Sequence, residues 1–252
     1  MNGHIEHLSL AALRMAASGL SEDPAVVAQW LYRFGTVPRG SAIDRDFGPD
    51  DDPMAVLGMT LGGGARRLLE TAYEATSLSG WYSFSHTATP VQVAAVCKLY
   101  VSPRPEALAD AFPRIAEEFV RSNVRSFKVG RGIEGLLRPD KILAYFDDRA
   151  HMAAVARALD RSLWGCRAQG VPFTTEAAGN GLLSSGVDPP SRIPPVSWRS
   201  WVTKRLAASL TSRRVAPDED PVAAALADIR LAGVDPERWV PDADAFRNEI
   251  PP

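Results

Sequence analysis

Nine residues separate two runs of alternating apolar residues, 124–130 and 140–146. Parallel strands need a crossover of a dozen residues or more, so a link this short favours antiparallel pairing. A third strand lies within 91–102. A fourth covers Trp81 to His86, with Trp81, Ser83 and Ser85 facing one way and Tyr82, Phe84 and His86 the other. Between the third strand and residue 124, Pro105 opens a helix with Leu108, Phe112, Ile115 and Phe119 along one side, interrupted at Pro113. The pattern predicts an α+β fold: a helical N-terminal portion, then a small, mainly antiparallel sheet flanked by helices.

The rest of the chain supplies those helices. Ile5, Leu8, Ala12 and Met15 give residues 4–19 helical spacing, and a second helix starts at Pro24, with Ser21 as cap and Val27, Leu31 and Phe34 on its buried side. Residues 35–53 read as loop, and the adjacent acids Asp50, Asp51 and Asp52 read as solvated. Gly62, Gly63 and Gly64 precede Ala65-Arg66-Arg67, not the Lys-Ser/Thr pair of a phosphate loop, so they read as a break before a helix through Leu68, Leu69, Ala72 and Tyr73 that Gly80 ends. Asp147 or Asp148 caps a helix carrying Met152, Val155, Leu159 and Leu163. Residues 171–196, with five prolines and three glycines, read as a long loop of the kind that is either functional or disordered. Helices over 197–210 and 219–232 follow. The expected division is a helical portion over 1–80, an α+β core over 81–214 and a C-terminal helix and tail over 215–252, all within one compact domain.

Composition narrows the function. A net charge of −2 argues against nucleic acid or an anionic membrane as partner, so any anion site must be local. No apolar run reaches about 18 residues, and no basic-then-apolar leader opens the chain. Cys97 and Cys166 fit no CxxC spacing and suit a reducing cytoplasm. His4 and His7 lack the Cys or Glu that would complete a metal motif, so no metal is expected.

The chemistry concentrates between Cys97 and Phe146, where three strands and their loops carry Lys98, Tyr100, Lys128, Arg131, Arg138 and Tyr145. Residues i and i+2 of a strand share a face, so Lys98 and Tyr100 point together. Lys128, Arg131 and Arg138 approach one another across the 131–139 loop. Such a cluster suits a phosphomonoester dianion, which arginine grips bidentately. Like charges and burial lower a lysine's pKa, making it a candidate base for a Cα proton beside the phosphate. Cations on strand edges also serve to block edge pairing, and the residue pattern alone leaves both readings open.

The order K-x-Y-V-S at Lys98–Ser102, F-K-V at Phe127–Val129, R-P-D-x-x-L-x-Y at Arg138–Tyr145 and S-W-R at Ser197–Arg199 resembles the phosphothreonine lyases secreted by enteric pathogens. Over residues 25–210 the chain is similar to the HopA-type effector family, through Trp30-Leu31-Tyr32-Arg33-Phe34, Trp81-Tyr82 and V-P-F-T-T-E-A-A-G-N-G-L at 171–182. Relatives of that family occur beside kinase-like proteins in pathways to lanthipeptides and thioamide-containing peptides (thioamitides). The resemblance implies a phosphothreonine lyase-like fold. It implies a cofactor-free phosphoserine/phosphothreonine lyase in ribosomal-peptide (RiPP) biosynthesis, which eliminates phosphate from a phosphorylated precursor peptide to leave a dehydroamino acid. A kinase would be its partner.

Carried over residue by residue, Lys128 is the general base, Lys98, Arg138 and Arg199 hold phosphate, and Tyr145 lines the site; the cation cluster adds Arg131. Tyr100 falls where the enteric lyases have a histidine acid, so the proton donor is Tyr100, His86 from the adjoining strand, or none. S-W-R-S-W departs from the family's usual serine-phenylalanine-glycine run and leaves Arg192 and Arg205 as alternatives to Arg199. Thr174, Thr175 and Asn180 either touch the peptide backbone or stabilise turns. A non-catalytic phosphopeptide or leader-peptide binder, an effector lyase acting on host kinases, and a scaffold for a larger synthetase are the competing readings.

Overall fold

The computed structural model describes residues 3–47, 52–88, 97–189, 196–212 and 220–242. Three helices come first, α1 (His4–Ala17), α2 (Pro24–Arg33) and α3 (Ser41–Phe47); a 3₁₀ turn at Pro53–Leu57 leads to α4 (Gly64–Glu70). Then follow β1 (Tyr73–Leu78), β2 (Trp81–His86), β3 (Cys97–Val101), α5 (Leu108–Arg121), β4 (Ser126–Gly130), α6 (Gly132–Leu136), β5 (Ile142–Phe146) and α7 (Arg149–Ser162). The chain continues through β6 (Thr175–Glu176), β7 (Leu183–Gly186), α8 (Trp198–Leu210) and α9 (Pro221–Leu231), and β8 (Val234–Asp235) pairs with β9 (Val240–Pro241).

Seven strands form one sheet in the order β1-β2-β4-β5-β3-β7-β6, and every neighbouring pair is antiparallel. Alternation divides its side chains between two faces. Phe84, Phe127, Val129, Ile142, Ala144, Phe146, Leu99 and Val101 form one core with Phe112, Ile115 and Phe119 of α5 and Val155 and Leu159 of α7. Phe84 and Phe127 stack there with centroids 4.5 Å apart. A second core joins the first two helices to the last two, packing Ile5, Leu13, Val27 and Leu31 of α1 and α2 with Trp198, Leu206 and Ile229 of α8 and α9. Each large apolar side chain withdrawn from water contributes about 1.5–3 kcal/mol.

The structure departs from the sequence reading in several places. The helix expected to run to Gly80 stops at Glu70, and Tyr73–Leu78 forms the edge strand of a hairpin closed by Ser79-Gly80. Tyr73 decides this: it is buried in the sheet core, with its phenol oxygen 2.9 and 2.7 Å from the carbonyl oxygens of Phe119 and Val124. The long loop over 171–196 contains β6 and β7, which extend the sheet beyond β3. Asp23, not Ser21, caps α2, accepting from the Ala25 N–H at 2.8 Å, while Ser21 accepts from the Asp23 N–H. Pro113 does not break α5, which is continuous from Leu108 to Arg121. Asp148 caps α7 by accepting from the N–H groups of Ala150 and His151. Asp50, Asp51 and Arg192 lie outside the described residues.

Candidate active site

The face of the sheet away from the aromatic core carries the polar side chains. Lys128 of β4 pairs with Ser83 of β2 and Leu143 of β5; Tyr145 of β5 pairs with Ser126 and Lys98; Tyr100 of β3 pairs with Leu143 and Ser184. Directly paired residues share a face, so Lys128, Lys98, Tyr145 and Tyr100 all look the same way. Trp81, two residues before Ser83, joins them.

Lys128 Nζ lies 4.2 Å from the Trp81 ring centroid and 5.9 Å from that of Tyr145, whose ring also carries Lys98 Nζ at 5.5 Å. Lys98 is ion-paired with Asp188, whose other oxygen accepts from the Trp198 N–H at 2.9 Å where α8 begins. Arg138 stacks on the same indole as Lys128, 4.8 Å from its centroid, and donates through Nε and Nη2 to the two oxygens of Asp140, each at 2.9 Å. Asp140 is buried. It also accepts from the Tyr32 hydroxyl at 3.2 Å and lies 2.9 Å from Arg199 Nη1, an ion pair too far out of line for a hydrogen bond.

Burial, the strongest influence, lowers the Lys128 pKa to about 8; Asp140 pulls it upward, while Lys98 and Arg138 push it down. About one amine in ten is therefore neutral at pH 7. Burial also raises the pKa of Asp140, but the charges of Arg199 and Arg138 more than offset it, and the carboxylate sits below its ordinary range. Tyr100 moves well above the ordinary phenol value, chiefly through burial, and Tyr145 and Tyr32 move the same way for the same reason.

The sequence-predicted residues thus separate into groups. Lys128, Lys98, Tyr100 and Tyr145 share the face, with Arg138 stacked at its edge. Arg199 is only 1% exposed: besides Asp140, its Nη2 donates to the Tyr32 carbonyl at 2.6 Å and its Nε to that of Pro172 at 3.3 Å, so its nitrogens are taken up inside the protein. Arg131 turns to the other side of the hairpin, donating to Ser77 Oγ and stacking on Tyr82. His86 also lies on the opposite face from Lys128, edge-on to Tyr73 at 5.2 Å, with its Nδ1 accepting from the Ala88 N–H. Arg205 stacks on Trp201 along α8. Thr174 donates to the Val171 carbonyl and Asn180 accepts from the Leu182 N–H, two contacts that hold turns, while Thr175 donates to the Trp239 carbonyl and ties β6 to the C-terminal segment.

Four further residues build the site without having been singled out for it: Trp81, Tyr32, Asp140 and Asp188. Asp140 had a signal, standing two residues after Arg138 in R-P-D; Asp188 and Tyr32 had none that marks an ion-pair partner. A cavity of about 410 Å³ opens beside Arg138, with Tyr32, Arg131 and Asp140 in its wall. Among the described residues no group of three or more His, Cys, Asp and Glu side chains is disposed to hold a metal ion, and no helix is long and apolar enough to cross a membrane. The arrangement supplies a lysine with a lowered pKa, a second lysine and a half-buried arginine, with two carboxylates as resident counter-ions.

No protein-family model and no curated protein sequence matches the chain. Among solved structures it is similar to the effector protein from Pseudomonas syringae pv. tomato strain DC3000, with TM-score 0.56 and 10% identity over 94% of this chain and 98% of that one. It is also similar to the effector protein from Pseudomonas syringae pv. syringae strain 61, with TM-score 0.51 and 14% identity over the same shares of each chain. The type III effector/phosphothreonine lyase OspF from Shigella flexneri aligns over 48% of this chain and 75% of its own, with TM-score 0.39 and 11% identity. What the chain has in common with the two Pseudomonas syringae proteins is its fold, helices and an antiparallel sheet in an α+β arrangement.

Proposed function

We propose that this protein is a lyase that β-eliminates phosphate from phosphoserine or phosphothreonine in a ribosomally made precursor peptide, leaving dehydroalanine or dehydrobutyrine. The observation that carries this reading is Lys128, an amine with its pKa lowered to about 8 on the same sheet face as Lys98 and on the same indole as Arg138. Neutral Lys128 takes the Cα proton. The electron pair left on Cα becomes the Cα=Cβ bond, the Cβ–O bond breaks, and phosphate departs with that bond's electrons. Lys98 and Arg138 neutralise the leaving dianion, and this electrostatic support is the main help the departing group receives. Tyr100 is a poor proton donor because burial raises its pKa, and His86 stands on the wrong face to serve. Arg199 acts through Asp140 and Tyr32, holding the clamp in place. Lys128 then returns its proton to solvent. The elimination itself calls for no cofactor, and a kinase partner supplies the phosphopeptide.

Incubation with a phosphorylated precursor peptide and its kinase is expected to remove the mass of one phosphoric acid from each modified residue; unchanged phosphopeptide sinks the reading. Burial of Tyr100 where the enteric lyases have a histidine favours a second one, a phosphopeptide binder without catalysis. Lys128→Ala separates the two. A lyase loses elimination by about 10²–10⁴-fold while keeping its phosphopeptide affinity; a binder changes affinity alone.

A further inference from the structure

We propose that Trp81 is a positioning residue, holding the Lys128 ammonium and the Arg138 guanidinium to one indole so that base and phosphate ligand keep a fixed separation; the inference rests on the lyase reading above. Trp81 opens β2, and its cross-strand partner is Gly130. Position 130 admits no side chain, because a Cβ there would stand 2.2 Å from the Gly135 carbonyl oxygen. The Gly135 backbone fills that neighbouring place, and the indole face is turned along β4 to Lys128, two residues back on the same face.

The groups facing Lys128 are Lys98 from β3, Tyr145 from β5, and Arg138, Asp140 and Asp188 from the loops around them. Among the described residues no carboxylate lies within ion-pair distance of its ammonium, whereas the Trp81 ring is at 4.2 Å. An indole face attracts cations, so Trp81 favours the ammonium against the burial that disfavours it. It does the same for Arg138 at 4.8 Å, and one rigid ring brings two like charges into one neighbourhood. Neither the base nor the anion ligand is then free to swing away when the site is empty.

The test compares Trp81→Leu, Trp81→Phe and protein carrying 5-fluorotryptophan, whose ring keeps its shape but attracts cations less. Titration of Lys128 is read by the pH dependence of its chemical labelling, resolved by peptide mass spectrometry, and needs no substrate. Trp81→Leu is expected to lower the Lys128 midpoint by about half a pH unit or more and to raise KM for a phosphopeptide about 10-fold, with Trp81→Phe within about 3-fold of the parent. Fluorotryptophan protein is expected to move the midpoint the same way, which keeps the test decisive should the leucine variant fail to fold. An unmoved midpoint in folded Trp81→Leu or in fluorotryptophan protein overturns the role of Trp81. A moved midpoint in a protein whose parent eliminates nothing overturns the lyase reading instead.

Discussion

Lys128 serves as a base only when its amine is neutral. With its pKa lowered to about 8, kcat/KM for elimination is expected to climb as pH rises through about 8 and to level off above it; a profile flat from about pH 6 to 9 excludes this amine. A second lysine tests the same physics through stability. Lys141 is fully buried, donates to the Pro103 carbonyl and to Gln169, and has its pKa lowered by burial to about 7. Between about 7 and the ordinary lysine value near ~10.4, the unfolded chain binds more protons than the folded one, so stability rises with pH across that window, and below it the full penalty applies. Urea unfolding of wild type against Lys141→Met is expected to show the wild type gaining on the variant from about pH 7 to about pH 10. The shared face of Lys98 and Tyr100 was legible from their i, i+2 spacing. Asp140 stands two residues from Arg138, but the other partners are remote in sequence and were not legible: Tyr32 reaches Asp140 across 108 positions and Asp188 reaches Lys98 across 90. Without them, nothing in the sequence shows that Arg199 lies buried against Asp140 and the Tyr32 and Pro172 carbonyls.

At the scale of elements, the strands that carry the chemistry announce themselves by alternation, and the hairpin edge does not. L-L-E-T-A-Y-E continues a helical rhythm past Glu70, and only the burial of Tyr73 against α5 pulls the segment into the sheet. The β4–α6 corner is a close backbone approach, with no room for a Cβ at either Gly130 or Gly135. Gly130→Ala is expected to cost about 1–3 kcal/mol by overpacking and to reduce elimination as well, since it disturbs the place beside Trp81. Asp148→Ala is the contrasting case. Loss of the α7 cap is expected to lower the melting temperature and leave kcat/KM unchanged, because α7 lies against the aromatic face of the sheet. Differential scanning calorimetry with parallel kinetics separates the two.

For the whole molecule, the second core makes the beginning and end of the described chain depend on each other. Ser9 of α1 accepts from the Phe173 N–H at 2.8 Å, and Ile5 and Leu13 are buried with Trp198 and Ile229. Full-length protein is expected to unfold in one denaturant transition, and deletion of residues 1–20 to abolish that transition; a truncated protein that unfolds cooperatively counts against a shared core. Two cations of the site already carry carboxylates: Asp140 lies across Arg138, and Asp188 on Lys98. On the proposed lyase reading, substrate entry trades Asp188 on Lys98 for phosphate while Asp140, buried and held by Arg199 and Tyr32, stays on Arg138, and departure reverses that trade. On the same reading, free inorganic phosphate, with no peptide to anchor it, competes weakly with Asp188 for Lys98, and added phosphate is expected to slow elimination little.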